Sequence, residues 1–239
     1  ICKKKRLILV EDTCEALGSK FKGKNLGTFG DFSSFSFFYS HHITSGEGGM
    51  ICVKSKKYAD VIKTLRSHGW SREISKKKKN NWTFINSGFN LRPTDISAAI
   101  GSSQLNKLNK ILNIRKRNFR LIRSSLLSEN KYSDKFDIIK ESKFNSIAWF
   151  GVPIILRSKK KNYKEIVTRK LNKRGVVTRP LISGNFANQP AVNLYNLNVS
   201  KGLKNANLID KNSFFIGLHN TKISRKQIEY IKKSLYSSL

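Results

Sequence analysis

Leu7-Ile8-Leu9-Val10-Glu11-Asp12 is the stretch on which the reading of the fold turns. Apolar residues in succession, with no polar alternation, are the pattern of a strand buried on both faces in a parallel sheet. The run ends in two carboxylates, and the C-terminal end of such a strand faces the crevice where open α/β sheets bind ligands. Asp31 to Phe38 and Gly49-Met50-Ile51-Cys52-Val53 give two further strand signals. The loop between them holds the adjacent pair His41-His42. An α/β class with a mixed, mostly parallel sheet follows.

Outward from this sheet, Tyr58 to His68 has helical spacing, with Val61, Ile62 and Leu65 on one face. Thr94-Asp95 opens a small-residue helix, Ile96 to Leu105, whose Ala98, Ala99 and Gly101 allow close backbone approach. It is expected to run into a longer helix reaching Leu127, with the domain boundary inside or just after it, giving domains 1–125 and 126–239. The second domain alternates strand and helix signals: Ala148 to Leu156, Tyr163 to Lys173, Gly175 to Thr178 and Ile223 to Leu239. That reads as a small α+β domain. The opening apolar run resembles a fold entered midway, so the larger domain is expected to be incomplete at its N-terminus.

The 239 residues carry a formal charge of +32 and are 38% hydrophobic. Such a charge invites a nucleic-acid partner. The basic runs Lys3-Lys4-Lys5-Arg6, Lys76 to Lys79 and Lys159-Lys160-Lys161 are nevertheless far apart, and they lack the aromatic interleaving of a single-strand groove. They read as solvated surface, and no nucleic acid is expected as partner. The same field would attract a small polyanion such as a nucleotide sugar. Glu11-Asp12 cuts the first apolar run far short of a leader, and no later run approaches the roughly 20 residues that span a bilayer. The expectation is a cytoplasmic protein with no membrane partner. Cys2, Cys14 and Cys52 show neither a disulfide framework nor zinc spacing, so no metal is expected.

Four segments occur in order: Glu11-Asp12-Thr13-Cys14-Glu15-Ala16-Leu17-Gly18, Gly27-Thr28-Phe29-Gly30-Asp31, Phe35 to Gly49, and Gly88-Phe89-Asn90-Leu91-Arg92-Pro93-Thr94-Asp95. Together they resemble the DegT/DnrJ/EryC1/StrS family of nucleotide-sugar aminotransferases, a fold type I group that uses pyridoxal or pyridoxamine 5'-phosphate. The resemblance implies that Asp12 pairs with the pyridine nitrogen, keeping the ring protonated as an electron sink. The residues alone also allow Asp12 to be a helix N-cap, with Glu15 at the capping-box position. By the same resemblance Glu15 contacts the ring hydroxyl and Ser36 the cofactor phosphate. Asn90 and Arg92 would reach the phosphate of the partner subunit's cofactor in a homodimer, a task suited to groups with several donors. Without the resemblance, Ser36 is an ordinary strand serine and Arg92 a surface charge before a helix.

His41 departs from the family pattern, standing where a lysine would anchor the cofactor. Imidazole can move a proton but cannot form that Schiff base, which shifts the expected chemistry from amino transfer to elimination. The His41-His42-Ile43-Thr44 loop, Ser67-His68-Gly69-Trp70 and Arg179 to Phe186 resemble the nucleotide-sugar 3-dehydratases of the family. The implied function is C3 deoxygenation of a GDP- or CDP-linked 4-keto-6-deoxy sugar for lipopolysaccharide O-antigen, with glutamate restoring the aminated cofactor. His41 would be the catalytic base, and His42 the fallback. Some such enzymes hold a [2Fe-2S] cluster on four cysteines; three scattered cysteines cannot supply that set, so no iron-sulfur cluster is expected. The alternatives are a nucleotide-sugar aminotransferase, a basic nucleic-acid-binding protein and an inactive truncated remnant.

Overall fold

The computed structural model describes residues 1–74, 82–195, 197–200 and 202–239; the basic run Lys76 to Lys79 lies outside the described residues. The chain begins with α1 (Cys2–Lys5), β1 (Val10–Asp12), β2 (Lys20–Phe21), β3 (Lys24–Asn25), β4 (Phe32–Ser36), β5 (Gly49–Val53), α2 (Lys56–Arg66) and α3 (Asp95–Leu105). It continues with α4 (Leu108–Leu126), β6 (Phe136–Ile138), β7 (Asn145–Ser146), β8 (Gly151–Leu156), α5 (Tyr163–Lys173), β9 (Thr178–Pro180), α6 (Lys204–Asn212), β10 (Ser213–Gly217) and α7 (Arg225–Tyr236). Two compact units result: Ile1–Lys110 with Lys143–Ala148, and Ile111–Ser142 with Trp149–Leu239. The division falls at Lys110/Ile111, inside α4, rather than at 125/126. The reason is the helix's buried face: Ile111, Arg115, Asn118, Phe119, Ile122 and Leu126 recur at helical spacing and belong to the second unit.

In the first unit the order β1-β4-β5 forms a mixed sheet. β1 runs parallel to β4, pairing Val10 with Phe32, Glu11 with Ser33 and Asp12 with Ser34. β5 runs antiparallel to β4. The expectation of a strand at Leu7–Val10 buried on both faces is corrected: the ladder starts at Val10, and Leu7, Ile8 and Val10 are 57%, 62% and 64% exposed. β1 is an edge strand here, so pairing begins only where β4 lies alongside. Ser55 caps α2 by accepting from the Tyr58 N–H, and Thr94 caps α3 by accepting from the Ser97 N–H. α3 and α4 are separate helices, because Asn106 and Lys107 close the end of α3 with bonds to Ser102 and Gln104.

The second unit is an antiparallel sheet in the order β6-β8-β10-β9. Its core joins Val152, Ile154 and Leu156 of β8 and Phe214 and Ile216 of β10 to Val167 and Leu171 of α5 and Ile228 and Leu235 of α7. A capping box fixes the start of α7, with the Ser224 and Gln227 side chains each bonded to the other's backbone. Arg115 is 3% exposed and donates to the carbonyls of Trp149, Leu218 and Phe150 and to Asn220 Oδ1. The strand expected at Gly175–Thr178 instead spans Thr178–Pro180. It starts where β10 offers partners, Thr178 opposite Ile216.

Candidate active site

The parallel pairing of β1 and β4 brings Asp12, the last residue of β1, opposite Ser34, two residues before the end of β4. Ser34 Oγ donates to Asp12 Oδ1 at 3.3 Å, and the Cys14 backbone N–H reaches the same oxygen at 3.2 Å. These bonds, those from Cys14 first, hold the Asp12 carboxyl below its ordinary range, with burial acting weakly the other way. Asp12 is therefore an anion at neutral pH. The segment after it is a series of turns, so the N-cap alternative gives way to an Asx turn closed on Cys14. Thr13 ties this turn to the strand end, donating from both its N–H and its hydroxyl to the Ser34 carbonyl. Burial first, and the Asp12 charge second, push the Glu15 carboxyl up.

Side chains two apart on a strand share a face. Ser36 is thus on the face of β4 that also presents Ser34, the side bearing Asp12. Its Oγ accepts from the Phe38 N–H at 3.2 Å, which leaves the hydroxyl hydrogen to donate elsewhere.

Glu11, expected with Asp12 to face the ligand crevice, is instead bound to the Gly27–Gly30 turn. Its carboxylate accepts from the N–H groups of Gly27 at 2.8 Å, Phe29 at 2.7 Å and Gly30 at 2.6 Å. Burial opposes the charge as the largest influence, yet the combined backbone bonds and Lys54 leave this carboxyl below its usual value. Glycine is required at position 30, where a Cβ would come within 2.7 Å of the Leu9 carbonyl oxygen and 2.9 Å of that of Phe32. The signal for this role was the turn-forming Gly27-Thr28-Phe29-Gly30 itself, whose exposed N–H groups need an acceptor.

From Ser36 the chain turns into the histidine loop. Phe37 N–H donates to the Gly48 carbonyl and Ser45 N–H to the Phe37 carbonyl, both at 2.9 Å, so the loop closes on the end of β4. His41 sits in a tight turn, its N–H bonded to the Phe38 carbonyl at 3.0 Å and its ring edge-on to Phe38 at 5.9 Å. It is partly buried, and desolvation lowers its pKa from the ordinary 6.5. The imidazole is accordingly neutral near pH 7. His42 is different: it is 0% exposed, with Nε2 at 2.8 Å from the Ala148 carbonyl oxygen.

Asn90 and Arg92, both exposed, lie on a separate segment. That segment is laced to the end of α2 by Phe89 N–H to the Leu65 carbonyl, His68 N–H to the Phe89 carbonyl and Leu91 N–H to the Arg66 carbonyl. Gly88 permits this approach, since a Cβ there would lie 2.8 Å from the Leu65 carbonyl oxygen. The structure brings Asp12, Ser36 and the His41 loop to one strand end; Asn90 and Arg92 are presented separately by the α2 edge. Among the described residues no group of three or more His, Cys, Asp or Glu is placed to hold a metal, and no helix is long and apolar enough to cross a membrane.

The model of the DegT/DnrJ/EryC1/StrS aminotransferase family matches residues 1–236. GDP-4-keto-6-deoxy-D-mannose 3-dehydratase of Escherichia coli O55:H7 is 32% identical over 241 residues, covering 96% of this chain and 60% of that protein. The solved E. coli GDP-4-keto-6-deoxy-D-mannose-3-dehydratase with bound hydrated PLP superposes with a TM-score of 0.88 at 31% identity, over 98% of this chain and 61% of the other. A second structure, GDP-4-keto-6-deoxymannose-3-dehydratase with a trapped PLP-glutamate geminal diamine, gives a TM-score of 0.86 at 31% identity, over 96% of this chain and 61% of the other. The chain thus spans about three fifths of the length of these relatives.

Proposed function

The chain belongs to the DegT/DnrJ/EryC1/StrS aminotransferase family, and we propose that it acts in the C3 deoxygenation of a 4-keto-6-deoxy nucleotide sugar, GDP-linked in the first instance, for lipopolysaccharide deoxysugar synthesis. The observation that carries the reading is His41, a neutral, partly buried imidazole in the loop that closes on the end of β4. Its place in the family motif belongs to a lysine, and it can move a proton without holding a cofactor covalently.

The residues at the strand end fit a phosphorylated pyridine. Asp12 stays ionised and can face a protonated ring nitrogen, Ser36 retains a hydroxyl hydrogen for a phosphate oxygen, and Glu15 is close enough to feel the Asp12 charge. Asn90 and Arg92 are exposed donors suited to the phosphate held by a second subunit of a homodimer. When bound, pyridoxamine phosphate supplies an amine for the sugar ketone and a ring that absorbs negative charge. His41 accepts the proton whose removal accompanies loss of the C3 hydroxyl as water. Glutamate, oxidised to its 2-oxo acid, provides the electron pair that the deoxygenation requires, and its nitrogen leaves as ammonia when hydrolysis returns the sugar ketone.

The test is incubation of the protein with pyridoxamine phosphate, glutamate and GDP-4-keto-6-deoxymannose, followed by mass analysis of the sugar. Loss of the C3 oxygen supports the reading. Gain of an amino group with the oxygen retained overturns it in favour of amino transfer.

A further inference from the structure

The second unit contains a cavity of about 410 Å³ against α4. Lys116, Arg120 and Arg123 line it from one helix face at i, i+4 and i+7, and Lys140, just past β6, adds a fourth cation. Glu141 is the one carboxylate in the lining. Like charges at these spacings repel, and four cations against one carboxylate leave the lining with a net positive charge that an anion would offset. The floor is rigid and apolar: the Phe119 and Trp149 rings stack at 3.8 Å with an interplanar angle of 7° and are 4% and 6% exposed. Arg115 holds the floor by donating from Nε to the Trp149 carbonyl at 3.0 Å. Arg123 Nε is buried and finds no acceptor among the described residues. A buried guanidinium N–H ordinarily has one.

We propose that this cavity is a binding site for a small phosphorylated anion of the diphosphate class. Two guanidinium groups offer planar pairs of donors that match phosphate oxygens, and the lysines add point charges. The volume accommodates a diphosphate, and the aromatic floor can support a flat group attached to it. The site is formed entirely by residues of the second unit.

Isothermal titration of the protein with inorganic pyrophosphate at physiological ionic strength tests this. One saturable site is expected, weakened about tenfold or more by Arg123→Gln. Arg120→Gln, at an exposed position, is expected to weaken binding in the same direction and carries the test if Arg123→Gln melts early. The control is the triple substitution Lys159→Gln, Lys160→Gln, Lys161→Gln, which removes more charge outside the cavity and is expected to leave affinity within about twofold. Equal weakening in cavity and control variants would mean a diffuse basic field and overturn the proposal, as would absence of a saturable site. A short duplex DNA that binds and loses affinity in the cavity variants, while pyrophosphate does not saturate, would assign the cavity to a nucleic-acid surface and equally overturn it.

Discussion

His42 Nε2 lies 2.8 Å from the Ala148 carbonyl oxygen, joining residues 106 apart in the chain, and Ala148 N–H donates in turn to Ser19 Oγ at 2.9 Å. Both polar groups of the Ala148 peptide are thereby satisfied in a buried place. This separates the two adjacent histidines: His42 is tied into the buried part of the first unit, whereas His41 sits partly buried in the turn closed on Phe38. His42→Ala is expected to destabilise the protein by about 2–4 kcal/mol, combining a lost buried bond with a cavity. Chemical denaturation of the variant checks this; an unchanged midpoint would remove the crosslink role.

His41→Asn is expected to abolish C3 deoxygenation while leaving the melting temperature nearly unchanged, because its ring is only partly buried. His41→Lys is expected to become covalently linked to pyridoxal phosphate on borohydride reduction, read as a gain in protein mass.

Burial favours the neutral imidazole at position 41, placing its pKa below 6.5. The basic form then predominates at pH 7, so kcat/KM for deoxygenation is near its plateau at neutrality and falls as pH drops below 6.5 through the lowered value. A decline that begins above pH 7 would point to a different base.

Glu11 stabilises the fold through its ionised form. Its folded pKa is lowered, so the contribution is fully present above the unfolded value near 4.5 and is lost as pH falls through the folded value beneath it. Glu11→Ala strands the N–H groups of Gly27, Phe29 and Gly30 and is expected to cost roughly 2–3 kcal/mol at pH 7. The difference from the parent should shrink in acid, measurable as denaturant midpoints across pH 3 to 7.

Arg115 bridges α4 to the carbonyls of Trp149, Phe150 and Leu218 within the second unit. Burial pulls its guanidinium pKa down to about 10, which still leaves it charged at neutral pH. Arg115→Met is expected to destabilise by more than about 3 kcal/mol, since several buried acceptors lose their donor together. Arg115→Lys should recover only part of this, because a single ammonium cannot span the fork of acceptors.

Periodicity and turn chemistry made several elements legible. Gly49–Val53 and Tyr163–Lys173 coincide with the expected strand and helix, and Thr94 caps α3 as Thr94-Asp95 suggested. β10 escaped notice, although it is an interior strand of the second sheet. Phe214-Phe215-Ile216 is too short an apolar run to declare its partners, and it becomes a strand because β8 and β9 flank it. α6 is similarly weak in Asn and Lys-rich sequence.

The sequence by itself determined the family-like order of segments and the unusual histidine at position 41. Those are matters of residue identity and spacing, which a linear chain states outright. Only the tertiary structure decided that Asp12 is held by Ser34 and Cys14, that Glu11 organises the Gly27–Gly30 turn, and that His42 is tied to Ala148. Each of these depends on strand register or on which groups burial brings together, and backbone pairing and packing settle that where a linear list of residues does not.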